Sequence, residues 1–447
     1  MASPNSRVVA AVVLALAALA ALAAPLTAQQ PATIRLSFAD AIRRVTSPDA
    51  PPAVELAALR TDESRARVTQ ARSGLLPSFT ATGVWFDRTL NPKSLGFSFP
   101  GLPSLIGPFN VVDGRLSLQQ TVFDISKLKR VGAAKSQVTA STAEGSAIEE
   151  ASAQSVAVAY ARAARAQAVV AARRADSSLA AELVTLADAQ QKAGVSASID
   201  VTRARVQLAE SAGRLILASS QLERAKIDLS RALGLESGMI ELTDTLGAQL
   251  GAANVPTGRD SAIMQALAAR PDLAAEVARG TAARTAASAI SAERLPRLDL
   301  AADYGLTGNN VPDAIATRQI GVQVTWPILD GFRREGRLDE QKAVARASDV
   351  RARDLRQQVT ADVDGALLDM RSAAAQQMIS GERLRLAMEE VSQARQRFEA
   401  GVAGNIEVIN AQESLERARE ADIDARFAAL SAKIALARSV GSAHTLH

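Results

Sequence analysis

The chain has 447 residues, 48% of them apolar and 22% charged, and no cysteine, which excludes disulfides, thiolate metal sites, a cysteine nucleophile and an acylated lipoprotein cysteine. Both histidines, His444 and His447, sit in the C-terminal tail, so the usual apparatus of catalysis, cofactor attachment and metal binding is nearly absent. The 51 basic and 47 acidic residues are interspersed along the chain, a mixed solvated surface without the basic arm or patch that nucleic-acid binding requires.

Residues 1–28 carry one early base, Arg7, then an apolar run over 8–24 and a small residue, Ala28, before Gln29. This is the layout of a secretory signal peptide. The run approaches the lower length for a membrane span, but no basic stop-transfer cluster follows it. Cleavage after Ala28 is therefore expected, leaving a mature chain without an acyl group. No later stretch is apolar enough for a membrane helix, so any further meeting with a membrane must be made by strands.

After the signal the chain repeats itself. Lys192-Ala193-Gly194-Val195, followed by Ile199-Asp200-Val201 and Leu208, recurs as Glu399-Ala400-Gly401-Val402, followed by Ile406-Glu407-Val408 and Leu415, at an offset of 207 residues. Leu76-Pro77 matches Leu295-Pro296, and Phe123-Asp124 matches Leu329-Asp330; the changing offset places an insertion of 13 residues near 91–113, read as an enlarged loop. The units are 29–240 and 241–447. In order, each holds a lead-in helix (52–76 and 271–295), a strand, a loop, a second strand, a long helix (125–193 and 332–400), a turn and a shorter return helix (199–233 and 406–440).

The strands, which build hairpins at about 79–124 and 297–330, follow from period-two alternation. Over 297–306, Leu298, Leu300, Ala302, Tyr304 and Leu306 alternate with Arg297, Asp299, Ala301, Asp303 and Gly305. Over 319–326, Ile320, Val322, Val324 and Trp326 alternate with Gln319, Gly321, Gln323 and Thr325, and 115–122 sets Leu116, Leu118 and Val122 against Arg115, Ser117, Gln119 and Thr121. The segment 79–88 is assigned because the repeat makes Trp85 the counterpart of Tyr304. The long helices span about 100 Å, the return helices about 50 Å and the lead-in helices about 37 Å. A lead-in helix stacked end to end on a return helix thus nearly matches one long arm. Ten of the chain's fourteen aromatic residues (two Trp, two Tyr and ten Phe in all) fall at 79–123 and 304–332, so the alanine-rich helices are expected to lack bulk for a solid core.

Four strands cannot close a barrel, which needs about eight or more. Three chains would supply about twelve strands and leave a lumen. The polar set Arg297, Asp299, Gln319, Gln323, Ser117 and Gln119 suits water, whereas the apolar face, with Trp85, Tyr304 and Trp326 expected near strand ends, suits lipid and its aromatic girdle.

The Leu-Pro before the first strand, Trp-Pro-Ile-Leu-Asp-Gly at 326–331 and the twice-repeated Ala-Gly-Val-x-x-x-Ile-Asp/Glu-Val resemble the TolC outer-membrane efflux protein family over essentially the whole mature chain. The resemblance implies a mainly α fold with transmembrane β. In it, a homotrimer forms a twelve-stranded barrel in the cell outer membrane, continued by an α-helical barrel that makes a large periplasmic portion. It further implies a passive export duct served by a periplasmic adaptor and an inner-membrane pump of RND or ABC type. In that family the periplasmic end closes like an iris ringed by acids. Glu407 matches one ring position and Asp200 an acidic position of the first repeat; Asn410 stands at the second acidic position, Ala403 where some members carry a locking arginine, and Phe398 in place of a gate tyrosine.

A simpler reading of Asp200 and Glu407 stays open: both follow Ser198 and Asn405, expected N-cap residues, and an acid there stabilises the helix dipole. Gly194 and Gly401 read as helix-ending residues. The alternative function is a periplasmic coiled-coil adaptor or scaffold, which should lack the two aromatic-rich hairpins. An enzyme is not expected, because no Ser/His/Asp geometry is recoverable.

Overall fold

The computed structural model describes residues 34–96, 101, 103–235, 240–246 and 258–446; the expected signal segment and His447 lie outside the described residues. In chain order the elements are β1 (Ile34–Leu36), α1 (Phe38–Val45), α2 (Pro52–Ser73), β2 (Ser78–Leu90), β3 (Ile106–Phe123), α3 (Ile125–Lys192), α4 (Ser198–Leu233), β4 (Ile240–Leu242), α5 (Arg259–Ala269), α6 (Pro271–Ser291), β5 (Arg297–Gly308), β6 (Ile315–Thr325), α7 (Arg333–Glu399) and α8 (Asn405–Ser439). The unit β-β-long helix-short helix therefore occurs twice, each time led in by a proline-started helix, where the missing N–H costs nothing.

The strands β2, β3, β5 and β6 form one antiparallel sheet in the order β2-β3-β5-β6, so each hairpin stays intact and the two repeats meet at β3 and β5. The register puts Leu116 beside Tyr304, and Ser117 beside Asp303, which pairs with Gln319. All six residues of the expected polar set fall on one face, and Trp85, Tyr304 and Val324 on the other. β3 begins at Ile106, well inside the stretch expected to be loop, because its backbone pairs with β2 out to Leu90↔Ile106 although side-chain alternation fails around Phe109-Asn110-Val111.

The helix columns follow from their ends. Asp124 caps α3, its Oδ1 accepting from the N–H groups of Ser126 (2.8 Å) and Lys127 (3.2 Å). The matching Asp330 lies three residues before the start of α7 and accepts from the Arg334 N–H at 3.2 Å, with the intervening Gly331 and Phe332 both in the left-handed region. At the far end of α4, Gly234 (φ +68°) packs so closely on the start of α2 that a Cβ would lie 2.6 Å from Pro52 Cδ. Gly441, after α8, packs on Ala269 and Arg270 ahead of α6, where a Cβ would lie 3.1 Å from the Ala269 carbonyl. The return and lead-in helices are therefore stacked end to end in both repeats, beside α3 and α7.

The helices do hold a solid core, contrary to the expectation from composition. Around the middle of α3, the buried stripe Ala153, Ala157, Ala161 and Ala164 lets neighbours approach, and Val156 and Tyr160 fill the space with Phe38, Ile42, Leu229, Leu233 and Ile434. The Phe38 and Tyr160 rings meet edge to face at 5.5 Å. The Tyr160 hydroxyl lies 3.0 Å from Asp244 Oδ2 and 3.1 Å from the Leu36 carbonyl. Burial and the adjacent Asp244 carboxylate push its pKa well up, so it stays a neutral hydrogen-bonding group. The bulk comes from segments distant in sequence: β1 pairs in parallel with β4, and the C-terminal residues 443–446 pack against α3, where buried Glu150 accepts from His444 Nδ1 at 2.6 Å. A unit boundary between 240 and 241 thus falls inside β4.

Candidate functional site

The tips of the two helical hairpins are built alike. Gly194 (φ +77°) and Gly401 (φ +71°) end the long helices. Val195 N–H donates to Gln190 O and Gly194 N–H to Gln191 O, each at 3.0 Å; Val402 donates to Arg397 O and Gly401 to Phe398 O at the same distance. These paired bonds satisfy the carbonyls left over at a helix end. The return helices start one residue earlier than expected. Ala197 and Gly404 occupy the cap positions and make no side-chain cap bond, so Ser198 and Asn405 are first helical residues rather than caps.

Asn405 has another task. It is fully buried (0% exposed), and its Nδ2 donates to the main-chain oxygen of Asp200 at 2.7 Å. In the reverse direction Gln190 Nε2 donates to the main-chain oxygen of Phe398 at 3.0 Å. Two hydrogen bonds from side-chain amides therefore tie the first tip to the second. Neither was foreseen from sequence; the only available signal was an Asn and a Gln flanking the repeated turn.

The acids face different surroundings. Asp200 Oδ2 accepts from Ser196 Oγ at 2.9 Å, and Arg203 lies 3.7 Å away. Glu407 Oε1 lies 3.0 Å from Arg397 Nε, and the pair is largely solvent-facing. Asn410 is exposed one turn beyond Glu407 on the same helix. Phe398 is only 3% exposed, and its ring fills the interface of the two hairpins with Leu183, Ala187, Val391 and Val408. Its period along α7 (Val391, Ala394, Phe398) is a core stripe.

Further from the tips, a buried charge layer crosses the bundle. Glu416 of α8 accepts from Gln207 Nε2 (3.4 Å) and pairs with Arg214 of α4 and Arg173 of α3 (3.5 Å to the latter), while Asp176 pairs with Arg419. Burial pushes the Glu416 carboxyl up from its ordinary value, opposed by Arg214 and Arg173. Among the described residues no group of three or more potential ligands could hold a metal ion.

The sheet is the other candidate surface. On its apolar face Phe79, Trp85, Leu116, Tyr304, Val322 and Val324 are all at least half exposed, Ile320 reaching 75%. The opposite face is tied by polar contacts: Arg115 pairs with Asp303 and with Asp113 (3.0 Å), and Thr121 Oγ1 donates to Asp299 Oδ1 at 2.9 Å. Trp326 directly follows β6, and its Nε1 donates to Arg294 O at 3.2 Å. Trp85 and Tyr304 stand near mid-strand rather than near strand ends, because hydrogen bonding carries β2 and β5 past the alternating windows. Among the described residues no helix is long and apolar enough to cross a membrane.

The protein family described as outer membrane efflux protein matches residues 50–235 and 262–442. The pyoverdine export outer membrane protein OpmQ of Pseudomonas putida is 25% identical over 267 residues, which are 58% of this chain and 55% of that protein; the match thus spans about half the length of this curated relative. The Campylobacter jejuni CmeC outer membrane channel superposes with a TM-score of 0.78 at 16% identity, covering 91% of this chain and 86% of that one. The outer membrane protein VceC from Vibrio cholerae gives a TM-score of 0.71 at 20% identity, covering 90% and 96%. At such identities the structural likeness carries the fold, and the family assignment rests on the two matched stretches, which take in both sheet hairpins and both helical arms. The chain belongs to the outer membrane efflux protein family.

Proposed function

We propose that this chain is the outer-membrane channel of an export system, a passive duct in which three copies close a twelve-stranded barrel and continue it as a helical tunnel through the periplasm. The observation that supports this best is the sheet. One face is apolar and exposed, the other polar and cross-linked by ion pairs, and β2 and β6 each pair on one side only. Such an open, two-edged sheet is an aggregation hazard in water; closing three of them edge to edge removes the edges and gives the apolar face to lipid and the polar face to a lumen. Trp326, with Tyr304 and Trp85 higher on the strands, then contacts the outer-membrane lipid.

The hairpin tips, with Asp200, Glu407 and Asn410 on or near their surface, form the periplasmic constriction in this reading. A periplasmic adaptor and an inner-membrane pump of RND or ABC type supply the energy. The Pseudomonas putida relative makes pyoverdine one cargo to assay first. Purified protein in detergent should have the mass of three chains and should form discrete conducting channels in planar bilayers. A monomer that never conducts would refute the duct.

A further inference from the structure

The polar face of the sheet runs at its helix end into an open cleft where the first turns of α3 and α7 come together. Lys127, Arg130, Arg297, Arg333, Arg334 and Arg337 all line it. Only Asp124, Glu293 and Asp330 oppose them, and all three are already committed. Asp124 caps α3. Glu293 is shared between Arg130 (2.7 Å) and Arg337 (3.1 Å), one carboxylate between two cations. Asp330 holds Arg334 at 3.5 Å together with its N–H. Arg297 turns to Asp299 (3.1 Å) on the sheet. Lys127 donates to the Thr121 hydroxyl, and among the described residues no carboxylate lies within ion-pair distance of Lys127 or Arg333.

Six cations against three carboxylates, at the positive ends of two long helices, make a strong local positive potential. Packing does not need this surplus; like charges at such spacing repel. The cleft also looks away from lipid: Lys127 and Arg297 reach a neighbouring recess lined by Gln119, Thr121, Asp299 and Gln323, all on the polar face, whereas Trp326 leaves from the opposite face.

We propose that this cleft is a transit site for soluble polyvalent anions, small molecules bearing two or more carboxylates or phosphates, at the junction of barrel and tunnel. The inference rests on the duct reading above. Guanidinium groups bind such oxyanions through paired N–H donors, and the unpaired Arg333 and the half-satisfied Arg337 are the groups free to do so.

The test uses the full-length protein in planar bilayers, with citrate as the trivalent probe and acetate as the monovalent control, each current normalised to that variant's own open level. Citrate is expected to block wild-type channels at far lower concentration than acetate. Arg333→Gln with Arg337→Gln should raise the half-blocking citrate concentration about tenfold, the loss of charge-assisted hydrogen bonds, and leave acetate unaffected. Arg333→Lys alone should retain most of the block. Channels that conduct but show equal citrate block in wild type and the double variant would overturn the transit site and leave the duct standing; protein that never conducts overturns both. If the double variant instead loses only its preference for phosphatidylglycerol over phosphatidylcholine vesicles, the cleft serves lipid headgroups and the proposal is wrong.

Discussion

Arg397, in the last turn of α7, places its Nε 3.0 Å from Oε1 of Glu407, in the first turn of α8, so that the two ends of one hairpin are clasped across the Gly401 turn. Each partner is also favourably placed against its own helix dipole, the cation at a C-terminus and the acid at an N-terminus. A guanidinium thus reaches Glu407 from within the same hairpin. The pair is mostly exposed, so its net worth is about 0–1 kcal/mol, small enough to open and close.

This clasp makes opposite predictions for its two halves. If Glu407 contributes to a threefold constriction, Glu407→Gln should lower cation selectivity and weaken block by trivalent cations in bilayer recordings. Arg397→Gln should raise both, because it unmasks the carboxylate. Asp200→Asn should do less, its carboxylate being held by Ser196 and Arg203. Unchanged selectivity in Glu407→Gln together with a lower melting temperature would reduce the acid to a structural clasp.

The amide links between the hairpins should set how easily the tips part. Asn405→Ala removes the Nδ2 hydrogen bond to the half-buried Asp200 carbonyl, at a cost of about 0.5–1.5 kcal/mol. Gln190→Ala removes the matching bond to the Phe398 carbonyl, which keeps only its Gly401 N–H. Larger single-channel conductance is expected from each, with an intact trimer on gels. Conductance at the wild-type level in the double variant would remove these amides from the gate.

For the sheet, Val324→Arg should impair barrel assembly by about 2–4 kcal/mol if the site lies near mid-bilayer, whereas Gln323→Arg should be tolerated. The two neighbours project to opposite faces, so the comparison controls for local sequence. Trimer yield after outer-membrane extraction measures it, and equal mild effects would argue against the facing.

The buried Glu416 gives a pH dependence with a definite sign. Burial raises its folded pKa above the ordinary 4.5, so folding takes up a proton in the window between the two values. Stability from this group therefore increases as pH falls through the raised value and is lost as pH rises through it. Melting curves of wild type and Glu416→Gln should diverge in favour of wild type as pH drops toward the ordinary carboxylate range. Asp272 acts oppositely. Burial alone would raise it, but Arg270 outweighs that and holds it low, so its contribution is lost only at still lower pH, equally in both proteins.

Local periodicity determined most of the architecture. The recurrence at 207 residues made the helical hairpins and their glycine turns legible, and the alternation of Arg297 through Leu306 settled which side chains share a sheet face, since a strand's period of two leaves one choice. It also foretold that return and lead-in helices stack, because their lengths sum to one long arm. The tertiary structure alone decided how the tips are held together. Phe398 and a lipid-facing or pore-facing aromatic look identical in sequence; only the neighbouring hairpin, supplying Leu183 and Ala187, makes Phe398 a core residue. The Asn405–Asp200 bond joins residues 205 positions apart, and the Tyr160–Asp244 contact joins residues 84 apart. Such contacts have no local period to betray them: they arise where packing brings unremarkable residue types from distant segments to the same height, and that height is a property of the packed columns, not of either segment.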